Sequence, residues 1–202
     1  MMLLIVGLIA FLGIHLLPTM PEVRDGLRQR FGESVYKGVF TLLSLVSSAV
    51  IVLGYHKMQL HPRKNPVLWD PPVWTHHLAA TLMLPATILV VASNVPSRIR
   101  NWAQHPMLLA IMLWALAHLL ANGDLASLLL FGSFLAYAIY DRISVKKRGV
   151  LGPLGEATPT SARNELIVVG AGLTLYAALL FGGHQWLIGV APLPELSPAI
   201  SG

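Results

Sequence analysis

The sequence predicts an all-α protein, a polytopic membrane helix bundle of about six transmembrane helices that forms one domain over residues 1–202. Three observations carry this. Hydrophobic residues make up 55% of the chain and charged residues only 11%, with a mean hydropathy of +0.66, which leaves too little polar surface to clothe a soluble domain. The apolar residues gather in runs of roughly 20, the length that crosses a hydrocarbon core about 30 Å thick. Between the runs stand the prolines, the tryptophans and nearly all the basic residues, as expected at membrane interfaces.

The formal net charge of +5 reflects topology and contact with anionic headgroups, and it does not indicate a nucleic-acid partner. The chain has no cysteine. Disulfides, thiolate ligands, iron–sulfur clusters and c-type haem attachment are therefore excluded. A metal would have to rest on carboxylates or on the 8 His and 7 Met.

Taken in order, residues 2–17 form an apolar run containing His15, with no basic leader and no small-residue cleavage site. That pattern is a retained first span. Residues 18–34 carry Arg24, Arg28 and Arg30, and Asp25, Arg28 and Gln29 share one face of a short interfacial helix. Residues 35–55 make the second span, ending at His56 and Lys57. The stretch 57–75 holds Pro62, Pro66, Pro71 and Pro72 with Trp69 and Trp74, a mixture suited to an irregular loop at the headgroups. Residues 76–94 are the third span, with Pro85 a candidate kink. The fourth and fifth spans are joined by so short a turn at residues 122–124 that they must form an antiparallel hairpin. Residues 144–164, including the run GPLGEATPT, read as a solvent-exposed connector. Residues 165–182 are the sixth span, continuing through His184 and Trp186 to a proline-rich tail from Pro192.

The basic residues set the orientation. Arg24, Arg28, Arg30, Lys37, Arg98, Arg100, Arg142, Lys146, Lys147, Arg148 and Arg163 fall on the odd-numbered connections, whereas only Lys57, Arg63 and Lys64 fall on the even ones. By the positive-inside rule the odd connections are cytoplasmic and both termini are periplasmic, in a bacterial inner membrane.

Chemistry concentrates in residues 102–124, WAQHPMLLAIMLWALAHLLANGD. Pro106 suits the first helical turn, so His105 falls at the N-cap, and Asn122-Gly123-Asp124 supply the stop. His118 lies inside the span, where an ionisable side chain is rare and marks a functional site by default. Its bland reading is a hydrogen bond to a neighbouring helix. The two imidazoles are separated by roughly 20 Å at about 1.5 Å per residue, so they mark two depths and not one small site. Asn122 reads as a C-terminal cap, Asp124 as a turn residue, and Glu33 as an acid at a helix N-terminus or, failing that, a buried acid. Trp114, one turn before His118, would pack beside any bound ring. His61, His76, His77 and His184 read as interfacial.

These residues also carry a resemblance. His15-Leu16-Leu17-Pro18, Phe31-Gly32-Glu33 with Tyr36-Lys37-Gly38, and HPMLLAIMLWALAHLLANGD followed by LFGSFLAYAIYDR together resemble the NnrU family over nearly the whole chain. That family is named for its association with nitrite and nitric oxide reduction in denitrifying bacteria. The same pattern is similar to the 15-cis-zeta-carotene isomerases, haem b proteins that isomerise a double bond without net redox change, whose pattern falls here on His15, His56, His105 and His118. The resemblance implies haem b as cofactor, with His15 and His118 as the metal ligands and His105 and His56 as further cofactor-binding candidates. The chain departs from the isomerases at Ala115, where they carry a cysteine, so a thiol ligand switch is not available. A second likeness, to the isoprenylcysteine and phospholipid methyltransferases, extends only to architecture, because the paired acids that end their second helix are absent after Asp141-Arg142.

The implied partners are the lipid bilayer, components of a nitric oxide or nitrite reductase, and a lipid-soluble substrate. The implied functions are a redox or sensing role in denitrification, a haem-dependent polyene isomerase, or a haem-free assembly factor for nitric oxide reductase. Depth alone pairs the histidines differently from the resemblance. His15 lies late in a helix running inward and His118 late in one running outward, so depth would match His15 with His105, and His118 with His56 or His76.

Overall fold

The computed structural model describes residues 1–149 and 159–196. Most of the connector expected at GPLGEATPT, and the end of the proline-rich tail, lie outside the described residues. The helices are α1 (Met2–Leu16), α2 (Pro21–Phe31), α3 (Glu33–Gln59), α4 (Val73–Ala92), α5 (Arg98–Ala103), α6 (Pro106–Ala121), α7 (Leu125–Lys147), α8 (Ala162–Ala178) and α9 (His184–Ile188). The stretches containing α1, α3, α4, α7 and α8–α9 are long and apolar enough to cross a membrane. The sixth crossing, α6, has only 16 residues, about 24 Å at 1.5 Å per residue.

The spanning helices stand in a row in the order α3, α1, α7, α6, α4, α8, each packed on the next. Small residues make the close seams. A Cβ on Gly54 would sit 2.5 Å from the Leu4 amide nitrogen, and one on Gly172 would sit 2.7 Å from Ile88 Cα. In lipid, where apolar burial between helices gains nothing over contact with acyl chains, such backbone approach is a principal source of helix association.

Hydrogen bonds at the two ends of the row fix the alternation of the chain. At one end Arg148 donates to the Pro18 carbonyl at 3.0 Å, Arg142 to the Ala103 carbonyl at 3.3 Å, and Asn164 to the Pro96 carbonyl at 2.9 Å. At the other end Asn65 donates to Asp124 at 2.8 Å, and the Leu68 amide donates to the Gly123 carbonyl at 2.7 Å. The odd connections therefore share one face and the even connections the other. Leu4 packs on Gly54, near the second face, and His77 stands 3.5 Å from Glu195 there. Both ends of the described chain thus lie on the face with three basic residues.

Glu33 holds the helix N-terminal place and is not a buried acid: it is the first residue of α3, partly exposed, and pairs with Arg28 and with Lys37 at 3.0 Å. Two expectations are corrected. Asp124 is not merely a turn residue: it is the N-cap of α7, its carboxylate accepting from the Ser127 amide at 3.0 Å and the Ser127 hydroxyl at 2.6 Å. The irregular loop begins later than expected, since α3 runs on to Gln59, and residues 66–69 lie against the α6–α7 turn through an isolated antiparallel bridge between Val67 and Asp124.

Candidate functional site

The fold gathers three histidines at the face bearing the even connections. His118 comes from the last turn of α6, His76 from the first turn of α4, and His184 from the start of α9. All three line one open-mouthed cavity of about 130 Å³, whose walls are Ala79, Ala80, Met83 and Thr87 of α4, Ala117 and Ala121 of α6, Tyr176 of α8, Leu179 and Leu180, with Asn122 and residues 190–192 at the rim. Alanines on the facing helices create the space, because a longer side chain at any of them would fill it.

The His118 ring is held from two sides. Its Nδ1 lies 2.8 Å from the Trp114 carbonyl. A carbonyl only accepts, so Nδ1 carries the proton and Nε2 keeps its lone pair. Phe131 stacks on the ring at 4.5 Å between centroids, with planes 28° apart, and Trp114 flanks it at 5.2 Å. The same logic applies to His184, whose Nδ1 lies 2.7 Å from the Val190 carbonyl. Its ring centroid stands 6.2 Å from that of His118, with planes 31° apart. The buried Nδ1 of His76 has no hydrogen-bond partner.

His184 reaches this position through an irregular turn. Between α8 and α9 the chain kinks at Leu179–Gly183, where Phe181 and Gly182 leave helical geometry and Gly182 has φ +148°, a region that an L side chain rarely adopts. Non-helical backbone at membrane depth is tolerated where it lines a cavity or is buried in protein.

The other histidines lie elsewhere. His15 ends α1 at the opposite face, where its Nδ1 donates to the Phe11 carbonyl at 2.7 Å and its ring stacks on Phe11 at 4.0 Å, with Phe40 and Tyr137 around it. It is not among the cavity's lining residues. His105 is buried at the N-cap of α6, at that same opposite face. His56 is exposed on α3, at the far edge of the row. His61 is exposed and caps the end of its own helix through the Lys57 carbonyl at 2.8 Å, in keeping with an interfacial place.

Depth had matched His118 with His56 or His76, and the cavity brings in His76 but not His56. His76 and His184 stay at that face, as the interfacial reading has them, and both also line the cavity. The signal available for His184 was the pair Gly182-Gly183 directly before a histidine in an apolar span. Trp114 packs on His118, as expected, but does so within an aromatic core of Phe131 at 5.0 Å and Phe134 at 5.6 Å, not in the cavity wall.

Among the described residues no three His, Asp or Glu side chains converge on one point, so a closed four-ligand cation site of the structural zinc type is not assembled. The donor set here is two oriented imidazoles above an apolar slot. No curated protein and no solved structure matches the chain. A family model described as NnrU protein matches residues 3–192.

Proposed function

The chain belongs to the NnrU family, and from that premise we propose that it is a multi-pass membrane haem protein in which His118 would hold the iron of haem b. Its role in this reading is redox or sensing, tied to nitrite and nitric oxide reduction at the inner membrane. The observation that carries the reading is the His118 imidazole itself, on an apolar helix, locked by Trp114 and Phe131 with Nε2 unprotonated at the wall of a cavity between helices. Haem, when bound, supplies one-electron chemistry and affinity for diatomic gases at its iron. The chain's own part is to orient the imidazole through the Trp114 carbonyl, raising its basicity, and to keep water out with alanine, leucine and methionine side chains.

A second reading, cis–trans isomerisation of a polyene by the same bound group, is favoured by those apolar walls, which would accept a lipid-soluble chain. The experiment that tests the proposal is a pyridine haemochrome assay with iron quantified per chain, on detergent-purified protein from haem-replete cells. A stoichiometric Soret band in the wild type, lost or altered in His118→Ala, is expected. A colourless, iron-free preparation rejects haem and leaves a haem-free assembly role. Turnover of a cis-carotene by the reduced protein would decide for the isomerase.

A further inference from the structure

We propose that the cavity between α4, α6 and α9 binds the ring of a lipid-soluble hydroquinone, whose two hydroxyls donate to His118 and His184. The inference does not rest on the haem reading, because iron and hydroquinone would compete for one lone pair on His118. With the helices as they stand, a macrocycle would have to part α4 from α6, whereas a single ring enters the space already there.

Size is the first observation. The cavity measures about 130 Å³, and an apolar protein cavity of about 150 Å³ takes up benzene. One six-membered ring fits, and the open mouth lets a substituent trail out.

Hydrogen-bonding sense is the second. The Nδ1 atoms of His118 and His184 already face the Trp114 and Val190 carbonyls, so each neutral ring offers only the lone pair of its Nε2. Their centroids stand 6.2 Å apart, close enough for one small molecule to reach both. A ligand that donates twice satisfies two acceptors that otherwise go unmet in apolar surroundings, where an unmade hydrogen bond is costly.

The third observation is charge. The lining holds no Lys, Arg, Asp or Glu, so neither an anionic headgroup nor an organic cation meets a counter-ion there, and a neutral head is selected. An aliphatic alcohol is neutral but donates once. A hydroquinone donates twice, and its ring lies against Ala80, Met83, Ala117 and Leu180.

Full-length protein in detergent, kept anaerobic and reducing, is titrated with a decyl-substituted hydroquinone, with the dimethyl ether of that compound, and with decanol. Melting temperature and the nitrogen-15 resonances of labelled histidine are followed. The hydroquinone should raise the melting temperature and move the Nε2 resonances of His118 and His184 upfield, saturably. The ether keeps the ring without its donors, and decanol donates once without a ring, so each should bind about tenfold more weakly or worse. His184→Phe should weaken the hydroquinone about fivefold, and Ala80→Leu, which fills the slot, should abolish the effect in a protein whose own melting shows it folded. Equal binding of the ether or of decanol, no saturable shift, or a shift that survives Ala80→Leu overturns the proposal. A wild type purified with iron on His118, its Soret band unmoved by the hydroquinone, also overturns it and leaves the haem reading standing. A colourless protein that binds the hydroquinone supports it and rejects haem.

Discussion

At the scale of single residues, the histidines divide by what their second nitrogen is left to do. Several close a local hydrogen bond to a carbonyl one turn back, as His15 does with Phe11 and His118 with Trp114. Only the second also faces a cavity. The buried Nδ1 of His76, on the same cavity and without a partner, is a group that a bound ligand would satisfy. His76→Phe should therefore weaken retention of haem on dilution in detergent without abolishing the Soret band; unchanged retention would show that His76 makes no contact with it.

Asp124 belongs to the same scale. Burial pulls its carboxyl upward, but hydrogen bonds from Ser127, Asn65 and Gln59 outweigh this and hold it below the ordinary carboxylate value. A depressed acid contributes stability that is complete above its unfolded pKa, near about 4, and is lost as pH falls through the folded value. Asp124→Ala should cost about 1–2 kcal/mol as a lost N-cap with orphaned donors. Thermal unfolding in detergent at neutral pH would register it, and the difference from wild type should shrink in acid. A gap that persists at pH 2 would contradict the assignment.

At the scale of elements, two helices depart from regular spans and both serve the cavity. The 16 residues of α6 end short of a full crossing, which leaves His118 and Asn122 recessed below the loop at residues 66–69. The kink at Leu179–Gly183 brings His184 to the same cavity. Gly182→Ala should cost about 1–2 kcal/mol in backbone strain, and it should perturb the haem spectrum although no ligand is removed. A stable variant with a wild-type spectrum would mean that the turn does not depend on glycine. The α1–α3 seam makes the complementary case. A valine at Gly54 must displace the Leu4 backbone, costing about 1–3 kcal/mol, far from the cavity, so the melting temperature should fall while the spectrum of surviving protein stays unchanged.

At the scale of the whole molecule, the row of helices separates two faces of unlike charge, with eleven basic residues on the connections of one and three on those of the other. The chain lacks cysteine, so single cysteines can report each face. Cysteines replacing Arg63 and Lys64 should label with an impermeant maleimide in intact spheroplasts, and one replacing Lys146 should label only after lysis. The reverse pattern would invert the orientation.

By itself the sequence determined that this is a membrane bundle of about six crossings, where each crossing falls, and that His118 is out of place in lipid. Those properties are local. Hydropathy and charge act residue by residue against the bilayer, so they can be read along the chain. Which histidines meet His118 was decided only by tertiary structure. The answer depends on α4 packing between α6 and α8 while α1 takes the other side of α7, and on the kink at Leu179–Gly183 that brings His184 to the cavity. Neither the order of helices in the row nor a kink leaves a period in the sequence, because lipid-facing and helix-facing positions are alike apolar.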